Sequence, residues 1–253
     1  MRFMQLPTLL INLDRSPERR LDSAQALHHL GLSWERVPGV DGAQLPELMI
    51  QQLNPPCRWA EWFRPLTPGE IGCFLSHVRC WKTIVDRQWP CALILEDDFA
   101  PEVSTTADHL SSLVRHSESW DVIRLSNTEA PSEPFLFGSV TLVPGAGTST
   151  NGTAYWVSQA GARKLLQARD KICRPLDFDL RHHWERRLRM ASTAKRLFRQ
   201  RSHEEVASII GNRSGYRQAP LLDKLVIYGR KHIYHVLFFM ACYLHVGRSQ
   251  IVE

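Results

Sequence analysis

The chain has 253 residues, of which 43% are hydrophobic and 23% are charged. This composition is typical of a soluble globular protein with a large core, and it excludes a disordered chain, a collagen and a polytopic membrane protein. The net charge of +5 is uneven, because residues 1–126 hold 12 basic and 16 acidic side chains while residues 127–253 hold 19 and 10. The basic second half predicts an anionic partner, such as phosphates, nucleic acid or an acidic membrane surface.

The six cysteines show no CxxC spacing, which favours free thiols in a reducing compartment over zinc ligands or disulfides. They are Cys57, Cys73, Cys80, Cys91, Cys173 and Cys242. The first residues contain an apolar run that is too short for a secretory signal peptide, and an acidic residue follows it directly. We therefore expect a cytoplasmic protein.

The first predicted elements are a strand, a helix and a second strand. Residues 8–13 read TLLINL, a short apolar run that indicates a buried strand. A helix begins at Pro17, a favoured first helical residue, and ends at Gly31. Residues 34–37 form a weak second strand. This order is typical of the start of a parallel α/β sheet.

Later elements extend this sheet. Thr67 caps a second helix, and residues 92–95 form a central buried strand. Two further strands are predicted at 121–125 and 153–157, with a long loop or hairpin between them and a helix after them. After Pro175 the chain becomes basic and mostly helical. The order predicts an open α/β sheet whose ligands lie beyond the carboxyl ends of the strands.

The most informative stretch reads ALILEDD at residues 92–98, where Glu96, Asp97 and Asp98 follow an apolar strand without a break. A buried strand does not tolerate unpaired charges, so the acids must emerge at its end. Consecutive carboxylates repel unless a cation lies between them. Carboxylates together with a substrate diphosphate are the usual ligands of Mg²⁺ or Mn²⁺. The alternative interpretation is a helix N-cap with surface acids.

Four sequence blocks, taken together, carry a family resemblance. They read INLDRSPERR at 11–20, LTPGEIGCFLSHVRCWKTIVD at 66–86, LILEDD at 93–98 and GTAYWVSQAGARKLL at 152–166. In this order they resemble glycosyltransferase family 25, the bacterial lipooligosaccharide galactosyltransferase family, over about residues 10–180. The resemblance implies a GT-A-like catalytic domain in residues 1–180, with an open mixed sheet flanked by helices. Residues 181–253 would then form a helical basic extension.

The resemblance further implies a metal-dependent transferase that moves a hexose, most often galactose, from a UDP-sugar to a hydroxyl with inversion at the anomeric carbon. In such a family the acidic stretch binds Mn²⁺ or Mg²⁺, so Glu96 and Asp98 are the candidate ligands, with Asp98 as the direct one. Asp97 between them is assigned to the donor site. The acceptor would be a lipid-linked lipooligosaccharide or lipopolysaccharide saccharide.

Five further residues are candidates for binding the nucleotide sugar. Asn12 lies at the tip of the first strand, and Arg15 and Arg19 follow it, where they would reach a diphosphate or the uracil. Ser76 and His77 belong to the second block. The alternatives are a solvated helix face for the arginines and a satisfied core histidine for His77.

An inverting transferase also needs a general base for the acceptor hydroxyl, which is usually a carboxylate. Asp177 matches an acid that the family carries after the fourth block, and Asp179 is a second candidate. Helix capping is the alternative role for both. Beyond residue 180 the sequence departs from the family, which leaves the acceptor side of the site open.

Two other classes of function fit parts of the pattern. A metal-dependent phosphohydrolase or nuclease would also use clustered acids beside a basic flank, but it normally needs more acids or histidines at separate strand ends. A non-catalytic module would bind a membrane or RNA through the basic half, although no RNA-recognition motif or zinc-finger spacing is present. We therefore expect no nucleic-acid partner.

The C-terminal part indicates an anionic membrane surface as a further partner. Residues 181–201 hold eight basic side chains and one acidic one, and residues 225–246 are largely apolar, interrupted by Arg230, Lys231 and three histidines. The longest uncharged run, 233–246, has 14 residues, whereas spanning a bilayer takes about 20. Basic residues beside aromatics and leucines are typical of an interfacial helix on the inner face of the cytoplasmic membrane. A helix packed in the core is the alternative.

Overall fold

The computed structural model describes residues 6–56, 61–114, 118–126, 135–137, 140–144, 151–167, 171–202 and 220–246. The strands, in chain order, are β1 (Thr8–Asn12), β2 (Trp34–Pro38), β3 (Cys91–Glu96), β4 (Phe99–Pro101), β5 (Val122–Arg124), β6 (Phe135–Phe137), β7 (Val140–Pro144), β8 (Ala154–Ser158), β9 (Met190–Thr193) and β10 (Phe198–Gln200). The α-helices are α1 (Pro17–His29), α2 (Glu47–Leu53), α3 (Pro68–Asp86), α4 (Ala107–Val114), α5 (Gln159–Leu166), α6 (Leu176–Arg181) and α7 (Leu221–Val246). Two 3-10 helices occupy Gly42–Gln44 and His183–Arg186.

Eight of the strands form one open mixed sheet in the order β2-β1-β3-β8-β5-β9-β7-β6. Strand β1 runs parallel to β2 and β3, and β5 runs parallel to β9, while the remaining neighbours pair antiparallel. Strands β4 and β10 pair antiparallel in a separate two-stranded sheet. The predicted α/β class, with a mixed sheet and a C-terminal helix, is therefore confirmed.

The chain divides into two compact units. The described parts of residues 1–40, 75–168 and 177–207 form the first unit, which contains both sheets. The described parts of residues 41–74, 169–176 and 208–253 form the second unit, which contains α2 and α7. Helix α3 contributes residues to both. The domain boundary that the sequence predicts at residue 180 stays a prediction.

The start of the chain follows the sequence prediction closely. All five residues of β1 are buried, as expected for a strand with a neighbour on each side. Pro17 lies in the first turn of α1, where its missing N–H needs no partner. After the helix, Gly31 adopts a φ of +66°, the left-handed conformation that glycine tolerates best and that commonly ends a helix.

Helix α3 begins with the predicted cap. The Thr67 hydroxyl accepts a hydrogen bond from the Glu70 backbone N–H at 3.2 Å, and the Glu70 carboxylate accepts one from the Thr67 N–H at 2.9 Å. This reciprocal pair satisfies two backbone donors that the first turn would otherwise leave free. Arg64 also donates two hydrogen bonds to Glu70, which holds the buried carboxylate as an ion pair.

Asp121, just before β5, is a fully buried ion-pair centre in the first unit. Its carboxylate accepts hydrogen bonds from Lys164 Nζ at 2.6 Å, from Arg189 Nη2 at 3.0 Å and from the Arg189 backbone N–H at 2.8 Å. Burial raises the pKa of Asp121, but the hydrogen bonds from Arg189 and Lys164 outweigh burial and hold the pKa below its usual value. Asp121 thus ties helix α5 and the segment entering β9 to the middle of the sheet.

The sequence prediction of a mostly helical segment after Pro175 is correct for α6 and α7 but misses two strands, β9 and β10. The four residues of β9 are all buried, and the strand pairs with β5 on one side and β7 on the other. Its strand conformation therefore comes from pairing with distant segments, and this is a tertiary effect that local propensity does not register. The expected loop or hairpin contains the antiparallel pair β6 and β7.

The expectation that all cysteines are free thiols is wrong for Cys173, which is disulfide-bonded. Cys73, Cys80, Cys91 and Cys242 are thiols that form no disulfide. A disulfide requires two cysteines to be close in space, and residues far apart in sequence meet this requirement without any CxxC spacing.

The second unit is held together by side chains from separate segments. Asn54 donates to the Ile172 carbonyl at 2.6 Å and accepts from the Leu66 N–H at 3.2 Å. Tyr234 of α7 packs against Trp62 with ring centroids 5.1 Å apart. Within the described part of the chain, no helix combines the length and the apolar character that crossing a bilayer requires.

Candidate active site

The carboxyl ends of β1 and β3 meet, as the sequence predicted. The two strands are parallel neighbours, with Ile11 opposite Glu96. At their ends Asn12 Nδ2 donates a hydrogen bond to Asp97 Oδ2 at 2.6 Å. Helix α1 starts directly after β1 and brings Arg19 to the same place, where its Nη2 atom lies 2.6 Å from Asp97 Oδ1 and 3.7 Å from Asp98 Oδ2.

Asp97 organises this cluster. Both of its carboxylate oxygens are engaged, one by Asn12 and the other by Arg19. Burial raises the pKa of Asp97 above its usual value, although the charge of Arg19 and the hydrogen bond from Asn12 act in the opposite direction. With no oxygen left over, Asp97 fits a role in holding Asn12 and Arg19 better than a role as a metal ligand.

Asp98 differs from Asp97 in having an unsatisfied oxygen. Its Oδ2 accepts a hydrogen bond from Gln200 Nε2 at 2.7 Å, whereas Oδ1 is buried with no hydrogen-bond partner in the described part of the chain. Burial, and after it the negative charge of Glu96, raise the pKa of Asp98 to about 6. A divalent cation satisfies such an oxygen and relieves the repulsion between the two carboxylates. Glu96 and Asp98 therefore fit a metal ion.

Two residues that the sequence analysis did not single out complete the cluster. Strand β10 pairs with β4, with Gln200 opposite Phe99, and this pairing brings Gln200 to Asp98. Arg201 follows, and it donates from its backbone N–H to the Asp98 carbonyl and from Nη2 to the Asp97 carbonyl, at 2.8 and 2.9 Å. The only signal for Arg201 in the sequence is its place in the basic run, which does not distinguish it from its neighbours.

His77 is buried and lies in a chain of hydrogen bonds that ends on Glu96. Trp81 Nε1 is 2.9 Å from the Tyr155 hydroxyl, which is 2.8 Å from His77 Nδ1, and His77 Nε2 is 3.1 Å from Glu96 Oε1. An indole N–H only donates, so the Tyr155 oxygen accepts from Trp81. The Glu96 carboxylate only accepts, so in a singly protonated His77 ring the proton lies on Nε2 and Nδ1 accepts from the Tyr155 hydroxyl. His77 then carries its proton on Nε2 and donates it to the Glu96 carboxylate. Trp81 and Tyr155 read as ordinary apolar positions in the sequence.

The remaining donor-site candidates have varied surroundings. Asn12 is 2% exposed, and its Oδ1 accepts from Arg36 Nε at 3.2 Å. The buried Ser76 hydroxyl accepts from the Val40 N–H at 2.8 Å, which is a contact within the fold. Arg15 is exposed after the end of β1. Roles for these residues in binding a nucleotide stay predictions.

Asp177, the predicted general base, belongs to a separate group of charges. It lies in the first turn of α6, and its negative charge raises the pKa of the fully buried Arg124, against burial, which lowers that pKa to about 10. Arg124 Nη2 also donates to the Asn151 carbonyl at 2.6 Å. Asp179 is buried, and its Oδ2 lies 3.4 Å from Arg186 Nη1. Asp177 is the more accessible of the two carboxylates.

Comparison with known proteins gives a family for about half of the chain. The profile of the family described as Glycosyltransferase family 25 (LPS biosynthesis protein) matches residues 5–130. The matched region includes Asn12, Arg19, His77 and the acidic stretch ending at Asp98. It does not include Asp177.

Curated relatives extend the similarity. A "Glycosyltransferase 25 family member" of Aedes aegypti is 36% identical over 166 residues, which are 62% of this chain and 27% of that protein. "Procollagen galactosyltransferase 1-A" of Xenopus laevis is 32% identical over 177 residues, 63% of this chain and 28% of that protein. A "Probable inactive glycosyltransferase 25 family member 3" of Bos taurus is 34% identical over 166 residues, 62% of this chain and 28% of that protein.

The chain thus spans less than a third of the length of these relatives. The family match covers the part of the chain that carries β1, α3 and β3 with its acidic end. Through residues 5–130, the chain is a member of glycosyltransferase family 25.

Proposed function

We propose that the chain is a metal-dependent inverting glycosyltransferase that moves a hexose, galactose in the first place, from a UDP-sugar to a saccharide acceptor of the lipooligosaccharide or lipopolysaccharide type. One observation carries the proposal: Asp98 has a buried carboxylate oxygen without a partner in the described part of the chain, next to Glu96 and within 3.7 Å of an Arg19 nitrogen. This combination suits a cation together with the diphosphate that it accompanies.

Mn²⁺ or Mg²⁺ would be held by Glu96 and Asp98. When bound, such an ion offsets the negative charge that a departing UDP gains in the transition state. Arg19 supports the same role, because its Nε atom is buried without a partner in the described residues and remains available to a phosphate oxygen. His77 keeps Glu96 oriented through the hydrogen bond at 3.1 Å.

Asp177 is the proposed general base. Its carboxylate interacts electrostatically with the guanidinium of Arg124, and a carboxylate is the group that usually accepts the proton of an acceptor hydroxyl. Asp179 suits this role less well, because it is buried and lies within ion-pair distance of Arg186.

A panel of nucleotide sugars tests the donor and the metal. We expect a UDP-hexose to stabilise the chain in the presence of Mn²⁺ or Mg²⁺, by about 2.7 kcal/mol at a ligand concentration 100 times its dissociation constant. Released UDP reports turnover, and chelation of the metal should remove both effects. A response to GDP- or CMP-sugars alone would contradict the donor assignment. Stabilisation without turnover of any donor, with or without saccharide acceptors, would contradict the transferase activity; the bovine relative is itself named probably inactive.

The acceptor and the location need separate tests. De-acylated lipooligosaccharide should accept the hexose, and a collagen peptide offered in parallel tests the acceptor that the name of the Xenopus relative suggests. We propose the cytoplasmic side of the inner membrane as the location, although a disulfide such as that of Cys173 is more typical of oxidising compartments. Cell fractionation with thiol trapping decides this point, and recovery of oxidised protein from the periplasm would contradict the proposal.

A further inference from the structure

Helix α7 is the longest helix among the described residues, with 26 residues from Leu221 to Val246. One side of it packs within the second unit. Tyr234 and Phe238 are 2% and 6% exposed, and Tyr234 contacts the rings of Trp62 and Phe63 with centroids 5.1 and 5.9 Å apart. These two anchors are four residues apart, so they lie on one face of the helix.

The opposite side of α7 is apolar and uncovered. Twelve of the sixteen large hydrophobic side chains that are exposed in the described residues belong to this one helix. They are Leu221, Leu222, Leu225, Val226, Tyr228, Ile233, Val236, Leu237, Phe239, Met240, Tyr243 and Leu244. We call this set the outer face of α7. A continuous apolar surface of this kind is unusual on a soluble protein and marks an interaction site.

The arrangement along the outer face is regular. Ile233, Val236, Met240 and Leu244 follow one another at intervals of three or four residues, so they form a stripe along the helix. Arg230 is exposed at the border of this stripe. Within α7 this stripe has no acidic neighbour, because the only acid of the helix, Asp223, lies ten residues before Ile233.

We propose that the outer face of α7 docks the protein on the surface of an anionic lipid bilayer, with the helix lying in the plane of the interface. The apolar stripe would enter the boundary between headgroups and acyl chains, and Arg230 would reach lipid phosphates from its edge. Tyr228 and Tyr243 are amphipathic side chains that favour this depth. The proposal goes beyond the transferase reaction, and its test does not need enzymatic activity.

The charges of α7 favour lipid over a second copy of the chain. In a symmetric pair the same face meets itself, so both Arg230 side chains would border one interface, and only an acid on the outer face would turn this repulsion into attraction. Within α7 the stripe that Arg230 borders has none, whereas an anionic membrane supplies phosphates along its whole length. A spanning orientation also fits poorly, because Arg230 and Lys231 lie near the middle of the sequence of α7 and Trp62 covers part of its other side.

Vesicle sedimentation of the full chain tests the proposal. Vesicles of phosphatidylcholine with phosphatidylglycerol should bind the protein, and salt should weaken the binding. Replacing Ile233, Val236 and Met240 together by asparagine should reduce binding at least about tenfold, because three apolar side chains no longer enter the lipid. Arg230→Gln should reduce binding to anionic vesicles about fivefold, with little effect on neutral ones.

A matched control replaces three exposed apolar residues elsewhere, Leu21, Leu48 and Val103, by asparagine, and it should bind vesicles like the original chain. Circular dichroism of each variant checks that helix content is kept. Normal vesicle binding by the folded triple variant of α7 would overturn the proposal. So would a failure of the original chain to bind anionic vesicles, and a dimer in analytical ultracentrifugation that the triple variant abolishes would then identify a second copy as the occupant.

Discussion

Asp121 is a fully buried carboxylate and Asp98 is a half-buried one, both beside strands of the first unit, and their surroundings shift the two pKa values in opposite directions. Asp121 accepts hydrogen bonds from Lys164 and Arg189, and its pKa lies below the usual value. Asp98 has one donor, Gln200, and one oxygen without a partner in the described residues, and its pKa rises to about 6. Burial alone therefore does not distinguish the structural carboxylate from the proposed metal ligand. The number of donors that reach the carboxylate oxygens does.

The largest expected effect is the loss of stability in Asp121→Asn. This change leaves the partly exposed Lys164 and Arg189 without their shared carboxylate, and losing the charged acceptor of several hydrogen bonds at this buried position costs about 3 kcal/mol. Urea unfolding should show a lower midpoint with an unchanged slope. The control is Asp86→Asn, the same chemical change at an exposed position, which should leave the midpoint unchanged within about 0.5 kcal/mol. If Asp121→Asn unfolds at the same urea concentration as the original chain, the structural role assigned to Asp121 is wrong and its contrast with Asp98 fails.

Asp98→Asn should lower turnover without lowering stability, the opposite of what Asp121→Asn should do to stability. We expect turnover to fall by about 100-fold, because a metal ligand acts mainly in the transition state, while the unfolding midpoint stays the same or rises. The rise would come from removing a charge that burial and Glu96 disfavour. Steady-state kinetics and urea unfolding on the same sample measure both quantities. Near-normal turnover would show that Asp98 is not a ligand.

The two carboxylates should also differ in how stability depends on pH. The folded-state pKa of Asp98, about 6, lies above its ordinary 3.8, so the folded metal-free chain binds more protons than the unfolded one between these values. Stability should therefore fall by on the order of 2 kcal/mol as the pH rises from about 4 to about 6. Asp98→Asn should remove this slope.

Asp121 contributes to the pH dependence of stability with the opposite sign. Its pKa is lowered in the folded state, so its contribution is present above the ordinary value of 3.8 and is lost as the pH falls through the folded-state value. Thermal unfolding of the metal-free protein over this range separates the two residues. A pH profile that Asp98→Asn leaves unchanged would contradict the assignment of the slope to Asp98.

The smallest expected effect concerns the hydrogen-bond chain to Glu96. Tyr155→Phe removes the hydroxyl that joins Trp81 to His77, and we expect metal affinity to fall about tenfold because His77 no longer holds Glu96 in one orientation. Titration with Mn²⁺, followed by electron paramagnetic resonance, measures affinity without turnover. Tyr228→Phe, at an exposed tyrosine, is the control and should bind Mn²⁺ normally. Equal Mn²⁺ affinity in Tyr155→Phe and Tyr228→Phe would show that the hydrogen bonds from Trp81 through Tyr155 to His77 do not support metal binding.

The parts of the fold that the sequence predicted share a physical cause. Strands β1 and β3 are continuous apolar runs, and α1 and α3 carry local start signals, so each is encoded by neighbouring residues. The meeting of Asn12 with the acidic stretch followed from the rule for carboxyl ends of parallel strands. Strands β9 and β10 could not be predicted in this way, because they depend on partners about 50 to 100 residues away.

The same limit applies to the site. The acids at 96–98 could be found because three charges directly after a buried strand are conspicuous. Tyr155, Gln200 and Arg201 could not, because their roles arise from tertiary contacts with Asp98, Asp97 and His77. An alternating strand residue such as Tyr155 looks the same in a sequence whether its hydroxyl is used or not.

The position of β9 in the sheet has a consequence for how the chain reaches its folded form. Among the described strands, β6 and β7 join the sheet only through β9, although β9 comes about 50 residues later in the sequence. Pairing between segments this far apart in sequence gives the native fold a high contact order, and such folds form slowly. The edge of the sheet that contains β6 and β7 should therefore assemble late. Synthesis past residue 200 is needed before β10 can deliver Gln200 and Arg201. A fragment ending at residue 130, where the family match stops, should therefore emerge from the ribosome with unpaired strand edges and depend on chaperones.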